Sequence, residues 1–169
     1  MPTLKQAAAE FLAQNRIAVV GVSRDSKQPA NANYRRLKAR GYQVFAVNPN
    51  MATVEGDRCY HSLREIEGEV DGVVIFTPRH AAAAVVRECA ELHIARVWMH
   101  RSVDAGSVSE EAVAIGRREG IAVLDGACPM MFLGGDPAHS CMRFVLGLMG
   151  RLPDGSAYAL PATLPLERV

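Results

Sequence analysis

No run of about 18 consecutive apolar residues occurs in this 169-residue chain, so the sequence predicts no membrane-spanning helix. The first stretch, MPTLKQAAAEFLAQNR, carries Lys5 and Glu10 and lacks a continuous apolar core. It is therefore not expected to be a secretory signal. Cysteine is sparse and scattered: Cys59, Cys89, Cys128 and Cys141 form no C-x-x-C pair. In a chain without a signal these read as reduced thiols of a cytoplasmic protein, not as a disulfide framework. Charge of one sign is missing too. Net charge is +1, and basic residues are spread along the chain, which argues against a nucleic-acid surface. Lysine is scarce, 3 against 16 arginines, a bias that reads as codon usage rather than function. Internal repeats and low-complexity segments are absent.

What is present is alternation. Leu4, Ala7, Ala8, Phe11 and Leu12 fall at helical spacing and predict a short amphipathic lead-in helix. Five short apolar runs follow, and strands are expected at 17–22, 43–47, 72–76, 96–99 and 121–124. Such runs suit strands buried on both faces of a parallel sheet. Between them, ANANYRRLKARG, RHAAAAVVRECAELHI and VSEEAVAIGRREG read as helices, the first stopped at Gly41 and the last capped by Ser107 or Ser109 and ending at Gly120. CYHSLREIEGEV reads as a connector with a helical turn or two and Ser62 as its cap. The fold class expected is α/β: a Rossmann-like, doubly wound, five-stranded parallel sheet in the order 3-2-1-4-5. Residues 1–150 form the domain in this reading, with a short apolar helix near 141–149, and 151–169 form an extended tail. Ligands of such sheets bind at the carboxyl ends of the strands where the order reverses, here expected between the first and fourth strands.

The first strand ends in GVSRDSKQP. Gly21 permits a sharp turn and a close approach. Ser23 offers a hydroxyl, Arg24 and Lys27 offer positive charge, and the next helix begins with free N–H groups, a natural seat for phosphate. The dinucleotide fingerprint G-x-G-x-x-G is missing; Ser23 stands where its second glycine belongs. The second strand ends in Val47, Asn48, Pro49 and Asn50 rather than in the acid that takes the ribose of NAD, and no arginine suited to NADP occurs between there and Arg58. A nucleotide phosphate is expected at this loop, and NAD is not.

IAVVGVSRD, GYQVFAVNPN, VDGVVIFTPRHAA, VWMH and GIAVLDGACPMMF, in that order, resemble the small CoA-binding domain proteins. These are single-domain relatives of the CoA-binding domain in the succinyl-CoA synthetase alpha subunit. The resemblance covers about residues 5–133. It implies CoA as the ligand, with the adenosine diphosphate over the loops after the first three strands and the pantetheine arm toward the later strand ends. Residue by residue it implies Gly21, Val22, Ser23, Arg24 and Lys27 in the first loop, Asn48 and Pro49 bordering the adenosine, and Thr77, Pro78 and Arg79 in the third loop. His100 and Cys128 then fall near the pantetheine end. The chain departs from the family pattern there: His100 stands in place of a Gln, Ser102 in place of a Gly, and DGACPMM in place of a strand through an Arg-Cys pair.

A catalytic set is not legible. The synthetase chemistry needs a phosphorylated histidine in a second domain, and none of His61, His80, His93, His100 and His139 lies in a glycine-rich loop. Ser23 in GVSRD is not a G-x-S-x-G elbow. Cys128, before Pro129, reads either as a buried thiol or as one near the thiol end of CoA. Cys128, His139 and Cys141 match no zinc spacing. The leading reading is a binding protein for CoA or acyl-CoA that is not itself an enzyme. An NAD(P)-linked oxidoreductase or sensor on the same fold, and an interaction protein without a ligand, are the alternatives. The partner expected is thus CoA or acyl-CoA, not nucleic acid or membrane, with a second copy or another protein left open.

Overall fold

The computed structural model describes residues 3–101 and 106–134. The expected tail and the helix near 141–149 lie outside the described residues, as do Ser102, His139 and Cys141. Chain order runs α1 (Leu4–Leu12), β1 (Arg16–Val20), α2 (Pro29–Ala39), β2 (Gln43–Val47), β3 (Thr53–Val54), β4 (Asp57–Tyr60), β5 (Gly72–Ile75), α3 (Arg79–Glu91), β6 (Arg96–Met99), α4 (Glu110–Arg118) and β7 (Ala122–Asp125). Single 3-10 turns occupy Leu63–Glu65 and Pro129–Met131.

The fold class is as the sequence predicts: α/β, with a mostly parallel sheet and helices on both faces. Strand number and order differ. Among the described residues the sheet has seven strands, ordered β3-β4-β2-β1-β5-β6-β7. The segment at 57–60, whose Cys59 and Tyr60 open the expected connector, pairs in parallel with β2 through Ala46–Cys59 and Val47–Tyr60, and antiparallel with β3. It occupies the place assigned to the strand at 72–75, which instead lies beside β1 in the register Ile17–Gly72 to Val20–Ile75. The order therefore reverses between β1 and β5, not between the first strand and the one at 96–99.

Helices α1 and α2 cover one face. Phe11 meets the fully buried Trp98 edge to face, with ring centroids 5.3 Å apart, and Tyr34 and Leu37 pack beside Ile17 and Val19. Helices α3 and α4 cover the other, where Ala82, Ala83 and Val86 lie against Val73, Ile75 and Val97. The small alanines let α3 sit close to the sheet. Helices α2 and α4 end at the glycines expected to stop them, whereas α3 ends at Glu91, short of the expected Ile94. Gly41 and Gly120 follow α2 and α4 with φ of 90° and 72°, and Ser109 caps α4 by accepting from Ala112 N. His93, just past α3, holds a φ of 56°, a C-terminal position usually given to glycine.

Candidate functional site

The carboxyl ends of β1, β5 and β6 open onto a cleft of about 360 Å3, lined among others by Gly21, Ser23, Pro29, Thr77, His100 and Ser107. It lies at the observed switch point. Gly21 has a φ of 98°, and a Cβ there would stand 2.8 Å from the Phe76 carbonyl carbon and 2.9 Å from Thr77 N. Glycine is thus required both by the turn and by the close passage of the loop after β5. Ser107 Oγ donates to the Thr77 carbonyl at 2.6 Å, and Ser107 N donates to the His100 carbonyl at 2.8 Å, closing the floor from the far side. His100 is buried and stacks on Phe76 with centroids 4.5 Å apart. Thr77 Oγ1 is buried and has no hydrogen-bond partner among the described residues, an atom that a ligand donor or acceptor would satisfy.

A second cleft, of about 320 Å3, lies on the other side of the first loop, between that loop and the β3–β4 hairpin. Ser23 lines both clefts; Arg24, Asn31 and Glu55 line the second. The wall between them is held by side chains. Asn31, itself buried, accepts from Ser23 N at 2.8 Å and donates to the Ser23 carbonyl at 2.8 Å. Ser23 Oγ accepts from Asp25 N at 3.1 Å, and Asp25 Oδ1 accepts from Lys27 N at 3.0 Å. Helix α2 begins at this wall with Pro29. Pro29 carries no N–H and Ala32 N donates to the Gln28 carbonyl, so the first-turn N–H groups of Ala30 and Asn31 are the ones without an intrahelical partner, and Gln28 adds no side-chain cap.

Gly21, Ser23, Arg24, Thr77, Pro78 and His100 are thus brought together around two adjoining clefts. Val22 is buried, and its carbonyl accepts from Asn48 Nδ2 at 2.7 Å. Lys27 and Pro49 are exposed beside the clefts without lining them. Arg79 Nε is tied to the Val108 carbonyl at 2.7 Å, joining α3 to the segment before α4. Cys128 lies beneath α2 and lines neither cleft; its Sγ is 3.6 Å from Asn33 Nδ2. Burial pushes its thiol pKa up, and the Asn33 contact partly offsets that. Sequence reasoning did not identify Asn31 or Glu55, and it named Ser107 only as an alternative cap of α4, the role that Ser109 fills. Each acts on a residue distant in sequence, and no local pattern marks such a contact.

A larger cavity, of about 720 Å3, opens at the opposite, amino-terminal end of the strands. Three of its charged residues are already engaged within the fold. Arg96 pairs with Glu10 at 2.6 Å, Arg64 pairs with Glu88 and Glu91, and Asp71 accepts from the Asn15 and Arg16 N–H groups. Chemistry, rather than volume, favours the carboxyl end.

Residues 15–133 match the family model described as a CoA binding domain. The chain belongs to that family. The uncharacterized protein YneT of Bacillus subtilis is 29% identical over 113 residues, 67% of this chain and 81% of its own. The alpha subunit of the ADP-forming acetate–CoA ligase II of Pyrococcus furiosus is 37% identical over 76 residues, 44% of this chain and 17% of that subunit. The matched part thus spans well under a fifth of the ligase subunit. Among solved structures, a hypothetical protein from Pyrococcus horikoshii superposes with a TM-score of 0.69 at 25% identity, covering 75% of this chain and 87% of its own. Among the described residues of this CoA-binding domain, no helix is long and apolar enough to cross a membrane.

Proposed function

We propose that this protein binds CoA or an acyl-CoA across the two clefts. The observation that carries the reading is that Ser23 lines both, at the start of α2. A diphosphate held there by the Ser23 hydroxyl, the α2 N–H groups and Arg24 leaves one arm of the ligand on each side. The adenosine arm enters the second cleft, near the end of β2. The pantetheine arm enters the first, past Thr77, whose unpartnered hydroxyl suits an amide of that arm, and past the Phe76–His100 stack. The family match supports the ligand. The loop supports it as well, since it offers donors and charge without the glycine spacing of a dinucleotide site.

Calorimetric titration with CoA, NAD and NADP tests the reading. Saturable binding of CoA is expected; tight NAD binding with no response to CoA overturns it. The reading includes no bond-making step by this chain's own side chains. Acetyl-CoA incubated with the protein is therefore expected to come back intact, as followed by free-thiol release.

A further inference from the structure

The end of β2 carries no acid, yet the fold brings one to the second cleft from another element. The β3–β4 hairpin turns on Glu55 and Gly56, with φ of 52° and 81°, the left-handed pair that a two-residue hairpin loop requires. Gly56 fits that geometry freely. Glu55 adopts it against the usual preference, and its side chain lines the second cleft with Arg24 and Asn31. Glu55 Oε1 accepts from Asn31 Nδ2 at 2.9 Å and from Arg35 Nη1 at 2.7 Å. Among the described residues nothing donates to Oε2. A carboxylate offers about four acceptor positions over its two oxygens, so Glu55 is anchored and still has capacity to accept. Asn31 links it directly to Ser23, the residue common to both clefts.

We propose that Glu55 is the specificity residue of the second cleft, where it accepts hydrogen bonds from the free ribose hydroxyls of an adenosine diphosphate compound. The inference rests on the CoA reading. With the diphosphate at Ser23, the ribose bonded to it through its 5′ oxygen enters the second cleft next. A carboxylate accepts from a diol there, whereas a phosphate on the same ring sets acceptor oxygens against Oε2 and brings no proton to it. Arg24, the one cation among the residues lining this cleft, neighbours Ser23 in the loop and serves the diphosphate. CoA carries a 3′-phosphate on that ribose, and dephospho-CoA does not. The cleft therefore takes the unphosphorylated ribose in preference.

Calorimetric titration of the wild type and Glu55→Gln with CoA and dephospho-CoA decides the matter. The wild type is expected to bind dephospho-CoA about ten-fold tighter than CoA, the scale of one charge-assisted hydrogen bond. Glu55→Gln keeps an oxygen for Asn31 and Arg35 and should bring the two ligands within about three-fold. Equal or tighter binding of CoA by the wild type overturns the proposal, whether or not the variant folds. A preference that persists unchanged in a folded Glu55→Gln does so too. Binding of both compounds without the preference defeats this inference alone; binding of neither defeats the CoA reading and this inference with it.

Discussion

Asn48 Nδ2 donates to the Val22 carbonyl across 2.7 Å, and Asn48 Oδ1 accepts from Asn50 N across 2.8 Å. The side chain at the end of β2 thus spends both polar atoms on the protein. It fastens the loop after β1 to the loop after β2 and so shapes the site. Asn48→Ala leaves the Val22 carbonyl without that donor. It is expected to cost about 1–2 kcal/mol in stability, read as a lower urea midpoint at an unchanged slope.

Gly21→Ala sets a Cβ against the backbone of Phe76 and Thr77 at a φ of 98°. Strain and crowding act together, and neither backbone can yield without moving β5. A loss of about 2–4 kcal/mol is expected, measured by thermal unfolding. CoA affinity should fall in the same variant even under conditions where it is folded, because the loop after β1 is displaced.

Much of this was legible in the sequence. The apolar runs at 17–22, 43–47, 72–76, 96–99 and 121–124 match β1, β2, β5, β6 and β7 to within two residues. Ala-rich α3 and the capped α4 follow the same rules. The hairpin was not legible. Asp57–Tyr60 buries Cys59 alone, and β3 is two residues long, so neither segment shows a strand pattern. Their pairing with β2 and with each other is tertiary. Missing it moved the strand at 72–75 to the wrong neighbour and moved the switch point with it. It also hid Glu55, the acid whose absence from the end of β2 the sequence had made prominent.

Acid should loosen the hairpin. Hydrogen bonds from Asn31 and Arg35 hold the Glu55 carboxyl below its ordinary value of 4.5, and those from Lys38 and Tyr34 hold Asp57 below 3.8. A depressed folded pKa contributes stability that is full above the unfolded value and lost as pH falls through the folded one. The contribution is therefore present at pH 7 and drains away below about pH 4.5. In urea unfolding, the wild type should lose more stability than Glu55→Gln between neutral pH and that acid range. Equal losses would mean that Glu55 ionisation does not support the fold.

Cys128 and Cys89 are both buried, at 4% and 0% exposure, and burial raises both thiol pKa values. Cys89 sits mid-helix between α3 and the sheet, whereas Cys128 follows the last described strand and touches Asn33. Slow alkylation is expected at both compared with a free thiol, with Cys128 the faster of the two because fewer elements must open to expose it. Peptide mapping after timed alkylation checks this. If CoA does not change the Cys128 rate, that thiol is a packing residue alone.

Arg24 is exposed, and the described bond of its guanidinium is to the Asn50 carbonyl at 3.3 Å. No acid among the described residues pairs with it, so it is available to an anion. Removing it costs little in folding, since the loop keeps the Asn31, Ser23 and Asp25 hydrogen bonds that shape it. A lost charge-assisted bond is worth about 1.5–3 kcal/mol, so Arg24→Ala should weaken CoA roughly ten-fold to a hundred-fold with an unchanged melting temperature. Lys27 lies in the same loop but lines neither cleft. Lys27→Ala should therefore weaken CoA by no more than about three-fold, through long-range charge alone. Parallel calorimetric titrations of the two variants separate a placed phosphate ligand from general positive charge. Equal losses would return the loop to an ordinary solvated strand-to-helix turn.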